Sequence, residues 1–306
     1  MAKKSLVADL ILLLVTFSWG ATFVLVKVAI DTMPPFTFLA IRFAIAAALI
    51  FLILLLFKRA HLQTDKGLLK AGLVLGFWLF AGYAFQTFGL KYTTASKAGF
   101  ITGLSVVLVP LFSVWLLRMK LKRPTIIGVI TATAGLALLS LDKVEAADFG
   151  DALMFLCALS YAMHILLMGK YAPRFKALPL AMYQIAAVAI FNSIGALLVE
   201  PWQKAFTKEV LFNPTVDAAI VICAVFATAL AFVAQSQFQK FTTPTRTALI
   251  FSTEPVFAAV TAYLWADERL SGQAVLGCLF ILSGMLFAEL GGTDKEEASN
   301  GASAPY

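Results

Sequence analysis

The sequence predicts an all-α integral membrane protein with ten transmembrane helices, arranged as two inverted repeats of five. Its composition, its apolar runs and an internal repeat all support this fold class. Of 306 residues, 61% are hydrophobic and 13% are charged. A soluble domain has about a quarter of charged residues, so this chain has too few polar side chains to cover a water-facing surface. Ten helices of about 20 residues leave about 100 for loops and tails, which excludes a sizeable additional soluble domain.

Ten apolar stretches bounded by charged or Pro/Gly-rich segments supply the predicted helices. They lie at about 6–28, 35–57, 69–90, 94–117, 124–141, 149–169, 179–199, 216–239, 244–266 and 271–290. Strands of membrane barrels alternate in polarity over about ten residues, so continuous runs of about twenty indicate helices. The first run follows Lys3 and Lys4, as in a signal peptide, but it is too long for a cleaved leader. We interpret it as the first transmembrane helix.

The distribution of basic residues predicts the orientation. Sixteen of the 24 Lys and Arg residues lie on the same side as the N-terminus, six lie on the other side, and two lie within spans. Basic loops stay in the cytoplasm, so both termini are predicted there, in a bacterial inner membrane. Residues 1–5 form the N-terminal segment, and 291–306, which are small and polar, form a disordered tail. The net charge of +7 is divided among short loops and does not predict a nucleic-acid partner.

The chain repeats itself. A shift of 149 residues pairs Gln86 with Gln235, Lys97 with Arg246, Gly128 with Gly277, and Gly135 with Gly284; a shift of 142 pairs Asp9 with Asp151 and Trp19 with Tyr161. Chance matching of apolar helices does not explain these polar, aromatic and glycine pairs. The repeats are predicted at 6–141 and 149–290. Each contains five helices, an odd number, so the second must be inverted, as in many secondary transporters.

Several motifs resemble the EamA branch of the drug/metabolite transporter superfamily. In the first half they are FSWGATF at 17–23 with Lys27, Pro34-Pro35 followed by Arg42-Phe43, and TASKAGFITGL at 94–104; in the second half they are FGDAL at 149–153, EPVFA at 254–258 and DERL at 267–270. The resemblance covers about 8–290. It implies ten helices in a 5+5 inverted arrangement around a central cavity, and a bacterial exporter of amino acids and related metabolites.

Glu254 is the acidic residue deepest in a predicted span, about eleven residues into the ninth helix. A charged carboxylate there costs about 2.5 to 3.5 kcal/mol, so it must be protonated, paired or exposed to a hydrated cavity. One interpretation is a group that couples protons or binds a substrate amine. The other is a hydrogen bond to backbone opened by Pro255. The sequence does not separate these interpretations.

Aromatic and amide side chains are the other candidates for lining a substrate cavity. Trp19 and Tyr161 occupy equivalent mid-helix positions, and Tyr83 and Gln86 share one helix face. Gln235 and His164 are two further candidates that also have structural interpretations. Gln235 is the repeat equivalent of Gln86 and needs a hydrogen-bond partner in an apolar setting. His164 lies three residues after Tyr161. A lone histidine is more often a hydrogen-bonded core residue, although a proton relay between His164 and Glu254 is also considered.

The basic and glycine candidates have mainly structural interpretations. Arg42 either binds a substrate carboxylate or, more typically, pairs with a neighbouring helix. Lys97 and Arg246 either anchor the ends of two helices at the headgroups or form a gate. Gly128 and Gly135, and likewise Gly277 and Gly284, are spaced seven apart, which permits close helix packing. The glycines favour scaffold helices and would also allow a homodimer.

The remaining residue types predict no metal site, no cofactor and no catalytic constellation. The three cysteines lie in separate apolar runs and the two histidines are far apart. There is no nucleotide-binding motif. We therefore predict a secondary transporter that exports small metabolites, with amino acids as the expected class, by alternating access in the bilayer. The alternatives are efflux of drugs or toxic compounds, metabolite uptake, and, less favoured, a membrane-embedded lipid-modifying enzyme.

Overall fold

The computed structural model describes residues 2–58, 65–89, 92, 95–140, 149–265 and 271–290. Every regular element in these ranges is helical. The helices are α1 (Ala2–Thr32), α2 (Pro35–Phe57), α3 (Lys66–Gly89), α4 (Ala95–Gly103), α5 (Ser105–Leu117), α6 (Arg123–Ser140), α7 (Phe149–Tyr171), α8 (Ala177–Val199), α9 (Lys208–Leu211), α10 (Pro214–Ala224), α11 (Ala231–Phe238), α12 (Pro244–Phe251), α13 (Glu254–Trp265) and α14 (Gly272–Leu290). The predicted tail 291–306 lies outside the described residues.

Six helical segments of the described chain are long and apolar enough to cross a membrane. They are Ser5–Thr22 within α1, then α2, α3, α7, α8, and Pro214–Phe241, which runs through α10 and α11. The other four predicted spans fall on shorter helices. The fourth and ninth predicted spans are each divided in two, into α4 and α5 and into α12 and α13. The fifth and tenth correspond to α6 and α14.

The divisions lie at corresponding positions of the two halves. Helix α4 is separated from α5 at Leu104, and α12 from α13 at Ser252 and Thr253. Pro255 explains the second break, because its ring lacks an N–H and clashes with the carbonyl four residues earlier. The hydroxyls of Ser252 and Thr253 donate back to the carbonyls of residues 249 and 250, at 2.7 and 2.6 Å. Glu254 therefore begins a new helix at this break.

Helix pairs from the two halves run antiparallel. The start of α2 contacts the end of α8, where the Phe36 amide donates to Glu200 at 2.9 Å. Helices α6 and α14 meet through their glycines, because a Cβ atom added to Gly128 would lie 2.6 Å from the Gly284 carbonyl oxygen. One added to Gly135 would lie 2.6 Å from that of Gly277. The four glycines therefore allow close backbone contact within one chain.

The other contacts between helices also come in equivalent pairs, one made by a helix of the first half and one by its counterpart in the second. Helix α3 of the first half packs on α7 and α8, and the segment from α10 to α11 packs on α1 and α2. Similarly, α4 packs on α7, and α12 packs on α1. The largest buried cluster contains residues of α2, α8, α10 and α11, including Phe38, Phe43 and Phe232. This core is where the polar side chains described next are held.

The outer surface of the bundle is strongly apolar. Large side chains such as Leu198 and Trp115 are 77% and 76% exposed. In water such a surface would be a liability, whereas lipid chains are as apolar as these side chains. The exposure therefore fits a bundle whose outside faces a bilayer.

Candidate functional site

A π-helical segment at 225–230, between α10 and α11, provides the centre of the candidate site. Segments of this kind interrupt the regular bonding of an α-helix and are frequent at functional sites. Here the Ala227 carbonyl accepts two hydrogen bonds from the other half of the molecule. The donors are Trp19 Nε1 at 2.9 Å and Arg42 Nη2 at 3.3 Å. The irregular backbone thus joins α1 and α2 to the second half.

Arg42 is buried, with 3% of its surface exposed. Its Nε donates to the Thr228 hydroxyl at 2.7 Å. Its guanidinium carbon lies 5.4 Å from the centre of the Phe43 ring and 5.5 Å from that of Tyr83. A cation over an aromatic face in a desolvated setting gains about 2 kcal/mol. The structure therefore shows the Arg42 side chain bonded to a neighbouring helical segment, which is the more typical of the two interpretations given above.

Aromatic rings continue from Arg42 to the seventh helix. The rings of Tyr83 and Tyr161 meet edge to face, with 5.7 Å between their centres. The Tyr161 hydroxyl donates to Gln86 Oε1 at 3.2 Å. The structure thus brings together three of the predicted cavity residues, Tyr83, Gln86 and Tyr161, on facing sides of α3 and α7.

Trp19 lies on the other side of the same core. Its ring is 5.6 Å from that of Phe232 on α11 and 4.9 Å from that of Phe251 at the end of α12. Phe43 and Phe232 complete the wall, with 6.4 Å between their ring centres. Trp19 and Tyr161, equivalent in the repeat, therefore both place a ring in the core and a polar atom in a hydrogen bond.

Glu254 is half-buried at the start of α13, against Gly20 of α1. A Cβ atom at Gly20 would lie 2.7 Å from the Glu254 carbonyl oxygen, so glycine is needed for this contact. The carboxylate lies within electrostatic range of Arg42, Tyr83 and Tyr161. Within the described residues it has neither a hydrogen bond nor a salt bridge. An acidic group in this setting can accept a proton or a substrate amine.

His164 belongs to a separate chain of buried polar groups. Its Nε2 lies 3.0 Å from Gln184 Oε1, and Gln184 Nε2 donates to the Ser236 hydroxyl at 3.2 Å. No hydrogen bond joins His164 to Glu254 in the described part of the chain. The arrangement is that of a hydrogen-bonded core histidine, and the relay considered from the sequence has no direct link here.

Gln235 and Gln239 form a second polar chain beside His164. Gln235 Nε2 donates to Gln239 Oε1 at 2.9 Å, and Gln239 Nε2 donates to the Ile165 carbonyl at 2.6 Å. The Gln235 Oε1 atom is buried and has no hydrogen-bond partner in the described residues. Gln235 therefore bonds to Gln239 four residues later, and Gln239 in turn bonds to the backbone of α7.

Arg246 forms an ion pair that joins the two halves. Its Nη2 lies 2.6 Å from Asp9 Oδ2, and both side chains are largely buried, at 11% and 6% exposed. The pair connects the first turn of α12 to the N-terminal part of α1. The side chain of Lys97, its repeat equivalent, lies outside the described residues. Removing either partner of a buried ion pair leaves an uncompensated charge inside the protein, so the pair links the two halves.

Some of these residues were missed by sequence reasoning. Ala227 and Thr228 lie in a continuous apolar run in which nothing signals a π-helical turn. The repeat pairs Asp9 with Asp151, but nothing in the sequence identifies Asp9 as the partner of Arg246. Among the described residues, no group of three His, Cys, Asp or Glu side chains could hold a metal ion. Cys157, Cys223 and Cys278 are all unbonded to one another.

Comparison with known proteins places these residues in a family context. The model of the EamA-like transporter family matches residues 6–141 and again 148–289. A protein of Archaeoglobus fulgidus named "Uncharacterized transporter" is 35% identical over 94% of this chain and 87% of its own length. The "Uncharacterized transporter YcxC" of Bacillus subtilis is 27% identical over 90% of each chain.

A solved structure shares the fold. It is described as "Crystal structure of protein", and it superposes with a TM-score of 0.77 over 92% of this chain and 96% of its own. Its sequence is 21% identical, so the likeness concerns the fold alone. The similarity extends over nearly all of both chains.

Proposed function

Because the chain belongs to the EamA-like transporter family, we propose that it is a secondary transporter that exports small polar metabolites, with amino acids and related compounds as the expected class. Family and relatives alike are named as transporters. Substrate, direction and mechanism are the parts proposed here. The proposal places the substrate beside the Trp19, Tyr83, Tyr161 and Glu254 side chains, between the two halves.

We propose that the ten predicted spans form two inverted repeats that rock about this site. Support comes from the antiparallel contacts of α2 with α8 and of α6 with α14, and from the exchange of contacts between halves. The divided helices also support it, because transporter sites are often built at breaks in discontinuous helices. In alternating access, the two halves would then rock about the central site that α1, α2, α7 and α8 border.

One observation carries the substrate proposal: Glu254, at a helix break near an aromatic cluster, has no hydrogen bond or salt bridge in the described residues. An intramembrane acid without a protein partner needs a proton, an amine or water to compensate its charge. The nearby rings of Trp19 and Tyr83 would contact apolar parts of a small molecule. Arg42 already donates to Thr228 and Ala227, so Glu254 is the more accessible charged group.

Efflux from proteoliposomes tests this proposal. Purified protein is reconstituted with a trapped mixture of amino acids and related metabolites, and each compound is followed with and without a pH gradient. Selective, protein-dependent loss of amino acids is expected. If folded protein moves no compound of this class, the proposed substrate class is wrong, and drugs and lipids would be the next compounds to assay.

The Glu254→Gln variant tests proton coupling separately. If Glu254 carries the coupling proton, efflux from this variant should be the same with and without the pH gradient, while exchange of labelled substrate continues. Glu209→Gln is the matched control, because Glu209 is an exposed carboxylate on α9. A folded Glu254→Gln protein with unchanged gradient dependence would assign Glu254 to a structural role.

We also propose an inner-membrane location with both termini in the cytoplasm, supported by the distribution of basic residues. A homodimer, if formed, would need a face other than the four glycines, since these contact one another within the chain. Attaching a reporter to each terminus and measuring its accessibility in intact cells tests the orientation. A reporter at either terminus that is accessible from outside the intact cell would contradict the proposed orientation.

A further inference from the structure

A cavity of about 590 Å³ lies outside the central site, between the start of α8 and the end of α11. Three of its lining residues are basic: Arg174, Lys176 and Lys240. No carboxylate lines it. None of the three cations has a salt bridge in the described part of the chain, and Lys240 Nζ donates to the neutral Gln237 at 3.2 Å. The lining therefore carries a net positive charge, with Arg174 and Lys176 exposed and Lys240 partly buried.

The first turn of α8 also borders the cavity. Ala177 and Leu178, the first residues of α8, both line the cavity. The N-cap residue of this helix is Lys176, which makes no capping hydrogen bond. The first amides of a helix have no partner within the helix and carry partial positive charge. Charged side chains and free amides therefore point to the same anionic ligand.

The other repeat shows what such a site holds. Helix α2 begins and ends 142 residues before α8, so the two first turns correspond. Leu178 stands at the position of Phe36, whereas Pro179, which has no N–H, stands at the position of Thr37. There the carboxylate of Glu200 accepts from the amides of Phe36 and Thr37, at 2.9 and 3.0 Å. The residue 142 positions before Glu200 is Lys58. The oxyanion at the first turn of α2 thus comes from the second repeat, and its counterpart in the first repeat is a lysine rather than a carboxylate.

Side-chain size explains why the second repeat has a cavity. Phe36 packs on Phe80 and Phe88, with ring centres 6.2 and 4.9 Å apart. The equivalent of Phe36 is Leu178, and Gln237 lies 149 residues after Phe88. Smaller and more polar side chains leave open the volume that three aromatic rings fill in the first repeat.

We propose that this cavity binds a phosphate-bearing anion, held by Arg174, Lys176, Lys240 and the first amides of α8. The anion would lie where the Glu200 carboxylate lies relative to the first turn of α2. A volume of about 590 Å³ accommodates more than inorganic phosphate, such as an anionic lipid headgroup or a soluble phosphate ester. Basic pockets between transmembrane helices on the cytoplasmic side characteristically bind such headgroups, and the basic-loop count assigns this end to the cytoplasm.

The test is the thermal stability of the full-length protein with two probes. In detergent, glycerol phosphate is titrated against chloride at matched ionic strength. In a second arm, protein is reconstituted in phosphatidylcholine vesicles with and without phosphatidylglycerol. A ligand that binds the folded state raises Tm in proportion to the logarithm of its concentration. A rise with phosphatidylglycerol alone assigns the site to a lipid headgroup, and a rise with both probes assigns it to phosphate groups in general.

The Arg174→Gln/Lys240→Gln double variant should weaken the response by about tenfold or more in apparent affinity, because charge-assisted hydrogen bonds are lost. Lys120→Gln, which removes an exposed lysine elsewhere, should respond like the wild type. Gln237→Glu gives an independent test if the double variant folds poorly: a resident carboxylate should raise the ligand-free Tm and abolish the response. No response in the wild type, or an equal response in the double variant, would overturn the proposal.

Discussion

The guanidinium of Arg42 is stabilised inside the bundle by oxygen atoms and aromatic faces, and no carboxylate is bonded to it in the described part of the chain. Thr228 and Ala227 accept its hydrogen bonds, and Phe43 and Tyr83 lie beside its charged group. Because these partners come from α2, α3 and the π-helical segment, one side chain joins three elements. Its contribution to stability should be measurable.

The Arg42→Met variant is expected to lower the free energy of unfolding by about 2 to 3 kcal/mol. This estimate combines the loss of hydrogen bonds to a charged donor with the loss of the cation–aromatic contact. Arg42→Lys keeps the charge and should lose less. Thermal unfolding in detergent measures the difference, with the exposed Lys208→Met as control. If the Tm of Arg42→Met is no lower than that of this control, the contacts with Thr228 and Tyr83 contribute little to stability.

Trp19 and Tyr161 provide a paired prediction, since each combines a core ring with one hydrogen bond. Trp19→Phe removes the bond to the Ala227 carbonyl, and Tyr161→Phe removes the bond to Gln86. Each change should cost about 1 kcal/mol and preserve transport, because an aromatic wall remains. Unfolding and proteoliposome efflux, measured on the same preparations, test both parts. Loss of transport without loss of stability would show that the polar atom itself contacts the substrate.

At the scale of elements, the contact between α6 and α14 depends on the absence of side-chain atoms. Gly284→Ala would place a Cβ 2.6 Å from the Gly128 carbonyl oxygen. Backbone atoms cannot move aside singly, so the helices must separate, at a cost of about 1 to 3 kcal/mol. Gly272→Ala, at the start of α14, meets no other atom within 4 Å and is the matched control. Similar Tm values for the two variants would contradict this account.

The sequence predicted elements well where the signal was a continuous apolar run. The spans at 35–57 and 149–169 correspond closely to α2 and α7. It did not predict the break at Leu104 or the π-helical segment at 225–230, because both lie inside uninterrupted apolar stretches. Pro255 did signal opened backbone, and α12 ends just before it. Where no proline is present, a break or a π-helical turn depends on how the helix packs against its neighbours. The hydrophobic periodicity of the sequence does not contain that information.

The candidate site was predicted in its residue types more than in its pairings. Tyr83 and Gln86 were predicted to share one helix face, and the structure brings Tyr161 of α7 to both of them. Arg246 was recognised by repeat position, but its partner Asp9 is 237 positions away in the chain. Nothing in one sequence identifies which of several charged residues will meet across two halves.

At the scale of the whole molecule, the Asp9–Arg246 pair joins the first half to the second at the end of α1 that the basic-loop count assigns to the cytoplasm. If the halves rock, this contact must form and separate during each transport cycle. In the repeat, Lys97 corresponds to Arg246 by the shift of 149, and Asp151 corresponds to Asp9 by the shift of 142. Repeat symmetry therefore assigns the equivalent pair of positions at the opposite end to Lys97 and Asp151. A link that prevents separation should therefore stop transport.

Cross-linking tests that requirement directly. In a protein whose native cysteines are replaced by alanine, Asp9→Cys and Arg246→Cys are joined by a short bifunctional thiol reagent that a reductant cleaves. Efflux is expected to stop on cross-linking and to recover after reduction, because the link holds α1 against α12 while leaving the fold intact. Each single-cysteine variant, treated with the same reagent, controls for modification alone. Continued efflux from fully cross-linked protein would mean that α1 and α12 move as one body, and the moving contact would then have to lie elsewhere between the halves.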